Sequence, residues 1–327
     1  MDPDFPFPRA STSRVNVAQL GQLVDEAGNN QSNGLLVVQD GAIIVEKYFG
    51  KPPSSQSIQS VTKSVSSLAV GFLLQDELIT LDTPLSKFYP EWGSGAKAGA
   101  TLRHVLTMST GIHDDPNGNF WKQNDLVAYA RAQPLVTPPG KDFAYSDLAV
   151  ELLAGVVAQL TGEEIDQYLK HKLFTSLGIT DQQWFPDRAG NMQISGGLFF
   201  SLRDLARIGS FSLNRGDWKG IQLLPGSWFD ASSTPSSANA AYGLLWWLDR
   251  NGAHPGSLTA PDPSTLGPVN GTYAMGYGGQ WIVTNPASNL VAVRTFPFNP
   301  AVPRTPTNFM SGFPGKVMNL TPLSGNV

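Results

Sequence analysis

A sheet assembled from both ends of the chain, with a mainly helical domain inserted between them, is the α/β (α+β) architecture that this 327-residue sequence predicts. Three observations lead there. Near the N-terminus, Leu35-Leu36-Val37-Val38 and Ile43-Ile44-Val45 flank Gln39-Asp40-Gly41, and Asp-Gly between β-rich runs is a strong hairpin signal. Near the other end, Trp281 to Thr284 and Leu290-Val291-Ala292-Val293 read as strands, whereas the stretch from Thr80 to about Gly190 reads as helices and loops. Residues 1–79 and 191–327 are therefore expected to build the sheet domain, and 80–190 the inserted helical domain.

The elements between these landmarks follow from spacing. Val61, Val65, Leu68 and Phe72 recur at helical intervals, which predicts a helix that buries one stripe and starts at Ser60. Pro138-Pro139-Gly140 marks a turn before Phe143-Ala144-Tyr145-Ser146-Asp147, and Leu148, Leu152, Val156 and Leu160 then predict a second helix. Gly276-Tyr277-Gly278-Gly279-Gln280 reads as a turn into the strand that begins at Trp281. A loose loop is expected near Thr259 to Gly271, and Leu323 to Val327 are expected to fray.

Composition narrows the function. The hydrophobic fraction of 41% supports a large core, while a net charge of −4 with 15% charged residues supplies no basic stripe for phosphates. Nucleic acid is not an expected partner; a small uncharged or mildly polar molecule is. No cysteine is present, which removes disulfides, thiol catalysis and thiolate metal sites. His104, His113, His171 and His254 show no metal-binding spacing, so neither metal nor cofactor is expected. The N-terminal residues lack a basic start and an apolar core, and no run approaches the roughly 18 apolar residues of a membrane span. The expectation is a cytoplasmic protein unless a signal has been removed, with no membrane partner.

The chemistry is carried by Ser60-Val61-Thr62-Lys63. Three residues apart on a helix, Ser60 and Lys63 share one face, so one turn brings hydroxyl and amine together. A serine hydroxyl is a weak nucleophile that needs a base within reach, and a desolvated lysine that loses its proton can serve. The plain reading against this is an N-cap serine beside a solvated lysine. Further motifs bear on the choice: Tyr145-Ser146-Asp147, then Gly276 to Gln280.

With these three motifs the chain resembles the serine β-lactamase and penicillin-binding-protein superfamily, in its class C-like branch of esterases, D-aminopeptidases, amidases and 6-aminohexanoate-dimer hydrolases. Leu78 to Pro90, Leu102 to Ile112, Ser195-Gly196-Gly197-Leu198 and Tyr242 to Trp247 also look familial. The resemblance implies a β-lactamase/transpeptidase-like fold, an antiparallel sheet flanked by helices with the site between sheet and helical domain. It implies Ser60 as nucleophile, with Lys63 and Tyr145 as the proton-handling groups. A nearby ammonium is expected to lower the Tyr145 pKa from its usual value near 10. The N–H groups of Ser60 and Gln280 are implied as the oxyanion hole. Gly278 and Gly279 would let backbone approach the ligand, and Tyr277 stands where relatives often have lysine or histidine. Asp147, where relatives often have Asn, either holds Lys63 by charge or caps the following helix.

The loop from His113 to Trp121 is either a cleft wall, with Trp121 against the substrate, or a solvated surface loop. Trp246, Trp247 and Trp281 either line an acyl pocket or fill the core. The implied activity is hydrolysis of a small ester or amide through an acyl-enzyme on Ser60. Acyl transfer uses the same residues, and the same scaffold would also serve β-lactam or D-peptide hydrolysis, or a ligand sensor without catalysis. No G-x-S-x-G elbow is present, which disfavours an α/β-hydrolase.

Overall fold

The computed structural model describes residues 5–11, 13–50, 52–115, 118–253, 255, 257–297 and 309–320. His254 and the segment Leu323 to Val327 lie outside the described residues. The strands are β1 (Gly34–Gln39), β2 (Ala42–Tyr48), β3 (Gln56–Ser57), β4 (Gln183–Trp184), β5 (Leu198–Phe200), β6 (Asp217–Trp218), β7 (Ile221–Gln222), β8 (Trp247–Arg250), β9 (Val269–Gly276), β10 (Gln280–Asn285) and β11 (Leu290–Thr295). Six of them form one sheet in the order β2-β1-β11-β10-β9-β8, antiparallel at every step. The N-terminal hairpin thus docks its first strand on the C-terminal one, with Leu36 opposite Val293 and Val38 opposite Val291.

Central strands β1, β10 and β11 are buried along their whole length, because helices cover both faces. Successive strand residues point to opposite faces, and two neighbours in β10 show it. Ile282 faces Gly209 of the Leu202–Leu213 helix, where a side chain larger than hydrogen would collide at 2.9 Å. Trp281 faces Phe313 of the Phe313–Met318 helix, with ring centroids 6.3 Å apart. From Thr80 to Gln182, the described residues hold helices and turns and no strand.

Three local expectations change. The Val61–Gln75 helix buries every residue from Val61 to Leu73 rather than one stripe, since it runs through the middle of the molecule against β9, β10 and the Ile165–Leu169 helix. The helix expected after Tyr145 is two, Asp147–Val150 and Leu152–Thr161, with Glu151 at the break. The loop expected near Thr259 to Gly271 ends early, because β9 begins at Val269, where it pairs with Arg250 of β8.

Candidate active site

Ser60 occupies the N-cap position of the Val61–Gln75 helix, but its side chain makes no capping hydrogen bond. The residue before it, Gln59, has φ of +51°, a left-handed conformation uncommon for a side chain of this size and typical of strained functional turns. Neighbouring groups hold that turn in place. The Gln59 carbonyl accepts from Thr62 N and Oγ1 at 2.9 and 2.7 Å, and Ile58 N donates to the Leu198 carbonyl at 3.0 Å. The Ser60 hydroxyl is left for Lys63, whose Nζ lies 2.9 Å from Ser60 Oγ.

Lys63 is 1% exposed and surrounded by acceptors. Nζ donates to the Ser195 carbonyl at 2.7 Å and sits 2.6 Å from Asp147 Oδ1. The Tyr145 phenol is close enough to Ser60 and Lys63 for both to act on its proton, and Nζ lies 5.2 Å from the Tyr145 ring centre. The ring itself is fixed by stacking on Trp247, with centroids 5.9 Å apart and planes 17° from parallel. Ser60, Lys63, Tyr145 and Asp147 are therefore brought together from two segments more than eighty residues apart.

Electrostatics overturns one expectation. Burial pulls the Lys63 ammonium down, yet Asp147, Tyr145 and Glu151 outweigh it, and the net shift is upward. Burial pushes the Tyr145 phenol up and Asp147 adds to this, against the opposing pull of Lys63 and the hydrogen bond from Ser60, so its pKa is raised rather than lowered. Solvent loss and an anion beside the pair prevail over the single ammonium. Both shifts favour an ammonium and a neutral phenol over a free amine.

Capping of the Asp147–Val150 helix falls to other residues. Ser146 Oγ accepts from Ala149 N at 2.9 Å. Asp114 accepts from Ser146 Oγ, Asp147 N and Leu148 N at 2.8, 2.8 and 2.9 Å. Burial, with Asp147 adding to it, pushes the Asp114 carboxyl up despite these bonds. Asp147 is thus placed on Lys63. Asp114 comes from the loop read only as a cleft wall or surface, and Pro116 and Asn117 of that loop lie outside the described residues. Trp121 is half exposed, packed on the buried Phe120 at 4.1 Å between ring centroids.

The third motif forms the turn between β9 and β10, where Gly276 pairs with Gln280. A Cβ on Gly276 would stand 2.3 Å from the Ile58 carbonyl and 3.1 Å from Gln59 Cβ, so the turn lies directly against the backbone that leads into Ser60. Gly278 and Gly279 adopt φ of +80° and +90°. The Gln280 side chain is buried and bonded to the backbone of Phe296 at 2.7 and 3.0 Å. Tyr277 is 47% exposed at the tip. Trp246, Trp247 and Trp281 are all buried, as core-filling residues are.

Two participants escaped the sequence reading. Glu151 is fully buried and accepts from Ile194 N and Ser195 N, both at 2.9 Å. Its signal was a charge interrupting the apolar Leu148 to Leu160 run. The Ser195 carbonyl carried no signal, because every residue has one. Among the described residues, no group of three or more His, Asp or Glu gathers in a form that could hold a metal. No helix among them is long and apolar enough to cross a membrane.

The chain is similar to known proteins along most of its length. An uncharacterized protein of Alkalihalophilus pseudofirmus is 26% identical over 321 residues, covering 86% of this chain and 87% of that one. The 6-aminohexanoate-dimer hydrolase of Paenarthrobacter ureafaciens is 23% identical over 283 residues, covering 76% of this chain and 71% of that one. Among solved structures, the octameric penicillin-binding protein homologue from Pyrococcus abyssi superposes with a TM-score of 0.69 at 18% identity, covering 94% of this chain and 78% of that one. The beta-lactamase family matches residues 20–308. With that match running from the first helix past the last strand of the sheet, the chain belongs to the beta-lactamase family.

Proposed function

We propose that this protein is a serine hydrolase that cleaves small ester or amide substrates through an acyl-enzyme on Ser60. The observation that carries the reading is the contact of Lys63 Nζ with Ser60 Oγ at 2.9 Å, with the Tyr145 ring centre 5.2 Å from the same Nζ. A serine at a helix N-cap that forgoes its cap bond for a buried lysine has given up a structural role for a chemical one.

The proton path follows from the charges. Because Asp147 favours the Lys63 ammonium, loss of one proton from the Lys63–Tyr145 pair leaves phenolate beside ammonium rather than phenol beside amine. Tyr145 Oη then takes the Ser60 proton as Oγ attacks the acyl carbon. The N–H groups of Ser60 and Gln280 receive the negative oxygen. Tyr145 returns the proton to the departing alcohol or amine, and water repeats the sequence to release the acid.

Substrate class is read from charge and from kinship. The phenol of Tyr277 at the turn offers a carboxylate a weaker contact than an ammonium would. Small uncharged acyl esters and amides fit better, aminohexanoate-type amides among them, in keeping with the similarity to a 6-aminohexanoate-dimer hydrolase. The test is intact-protein mass spectrometry after exposure to p-nitrophenyl esters, D-amino-acid amides, an aminohexanoate amide and a β-lactam. Ser60 is expected to gain the acyl mass, and Ser60→Ala to lose both the adduct and fluorophosphonate labelling. Labelling of Ser60→Ala at the unaltered rate refutes the assignment.

A further inference from the structure

Glu151 sits between the two helices that follow Tyr145, four residues beyond Asp147. It is 1% exposed. Each of its carboxylate oxygens accepts one backbone N–H, Oε2 from Ile194 and Oε1 from Ser195. That same Ser195 turns its carbonyl to Lys63 Nζ at 2.7 Å. The segment that follows is tied to the nucleophile's own turn, since Leu198 accepts from Ile58 N and lies 3.4 Å from Thr62 Oγ1 through its N–H.

We propose that Glu151 is a positioning residue for Lys63: by holding the Ile194 and Ser195 N–H groups it fixes the Ser195 carbonyl, which in turn keeps Nζ aimed at Ser60 Oγ. The inference rests on the acyl-enzyme reading of Ser60. One helical stretch thereby grips the lysine twice, directly through Asp147 and through a backbone relay from Glu151. A drift of Nζ by about 1 Å away from Ser60 Oγ would lose that contact, and misplacements of that size cost activity steeply.

The carboxylate is there at the expense of the fold. Burial pushes Glu151 up to about 7 from 4.5, against the hydrogen bonds from residues 194 and 195 and the pull of Lys63, the charged side chain that acts on it. Between those values the folded chain holds a proton that the unfolded chain has released, so this group lowers stability as pH rises from 4.5 to about 7. A buried acid kept in that state beside a reactive cluster is expected where geometry of the site needs it. When Glu151 is protonated, one oxygen becomes a donor and one of the two backbone N–H groups loses its acceptor.

The experiment compares the full-length protein with Glu151→Gln, an isosteric change that places an NH2 against a backbone N–H. With p-nitrophenyl acetate, kcat and the rate of fluorophosphonate labelling are expected to fall about 10- to 100-fold with KM unchanged. The unaltered protein should lose activity as pH falls through about 7, and the variant should lack that limb. Glu151→Asp, which keeps the charge on a shorter stem, should retain the limb with intermediate kcat; if the Gln variant does not fold, this variant decides. A folded Glu151→Gln protein with unaltered kcat and pH profile overturns the proposal, as does a Glu151→Asp protein without the limb. Absence of Ser60 labelling in the unaltered protein would instead refute the acyl-enzyme reading.

Discussion

Lys63 and Arg294 are both buried cations, one on the helix packed against β9 and β10, the other on β11, and their surroundings differ in kind. Lys63 faces a carboxylate, a phenol and the Ser60 hydroxyl, all of which can exchange protons. Arg294 donates to the Ser32 hydroxyl and to the carbonyls of Gly279 and Asn30 at 2.7, 2.8 and 3.2 Å. Burial pulls the Arg294 guanidinium down, against a pull upward from Glu26, whereas the charges around Lys63 reverse the effect of burial. A guanidinium that cannot give up its proton, set among main-chain oxygens, is a clamp on the β9–β10 turn. An ammonium set among titratable partners suits the proton transfer proposed for this site. Burial of a cation therefore says little; the chemistry of its acceptors decides its use.

The strongest way to break that contrast is to delete each cation and its partner. Lys63→Ala and Tyr145→Phe should each lower kcat by roughly 10²–10⁴ while the chain stays folded; a variant that keeps half of the unaltered kcat would remove that residue from the chemistry. Arg294→Met should act on the fold instead. It leaves three buried acceptors without this donor, each at about 1–3 kcal/mol, and the urea midpoint should drop. An unchanged midpoint would show that the turn does not depend on the clamp.

A smaller effect sharpens the contrast at Asp147. Without the carboxylate, the anion that pushes the Tyr145 phenol up is gone, so in Asp147→Asn the rise of kcat with pH should move toward acid by about 1–3 units. Stability carries its own sign: the folded-state pKa of Lys63 lies above 10.5, so its ion pair with Asp147 stabilises the fold fully below 10.5 and that stabilisation is lost as pH rises through the raised value. A profile displaced toward alkali would mean that Asp147 does not hold the ammonium. The smallest effect is expected at Tyr277→Lys, which should improve kcat/KM for a carboxylate-bearing substrate over its methyl ester about tenfold, the factor that 1.4 kcal/mol supplies. Penicillin turnover by the unaltered protein comparable with its best ester would place carboxylate recognition elsewhere.

Much of this was legible before folding. Hairpin chemistry at Asp40-Gly41, the strand runs at both ends and the helical spacing after Ser60 are local properties, and the structure returns them as β1–β2, β10, β11 and the Val61–Gln75 helix. Ser60 and Lys63 were legible because both lie within one helical turn, and their nearness is fixed by helix geometry alone. Membership of the beta-lactamase family was carried by the same short motifs.

Tertiary structure decided everything that depends on what stands across a gap. The Asp147 carboxylate was visible in the sequence with two open uses, and only the arrival of Asp114 at the helix start, from a loop more than thirty residues earlier, left it free to meet Lys63. The protonation of the site was misjudged for the same reason: desolvation and charge depend on the whole surroundings, and a motif names only one neighbour. Glu151 and the Ser195 carbonyl came to light last, because a backbone oxygen has no sequence signature and a buried carboxylate acquires its meaning from the N–H groups that the fold turns toward it.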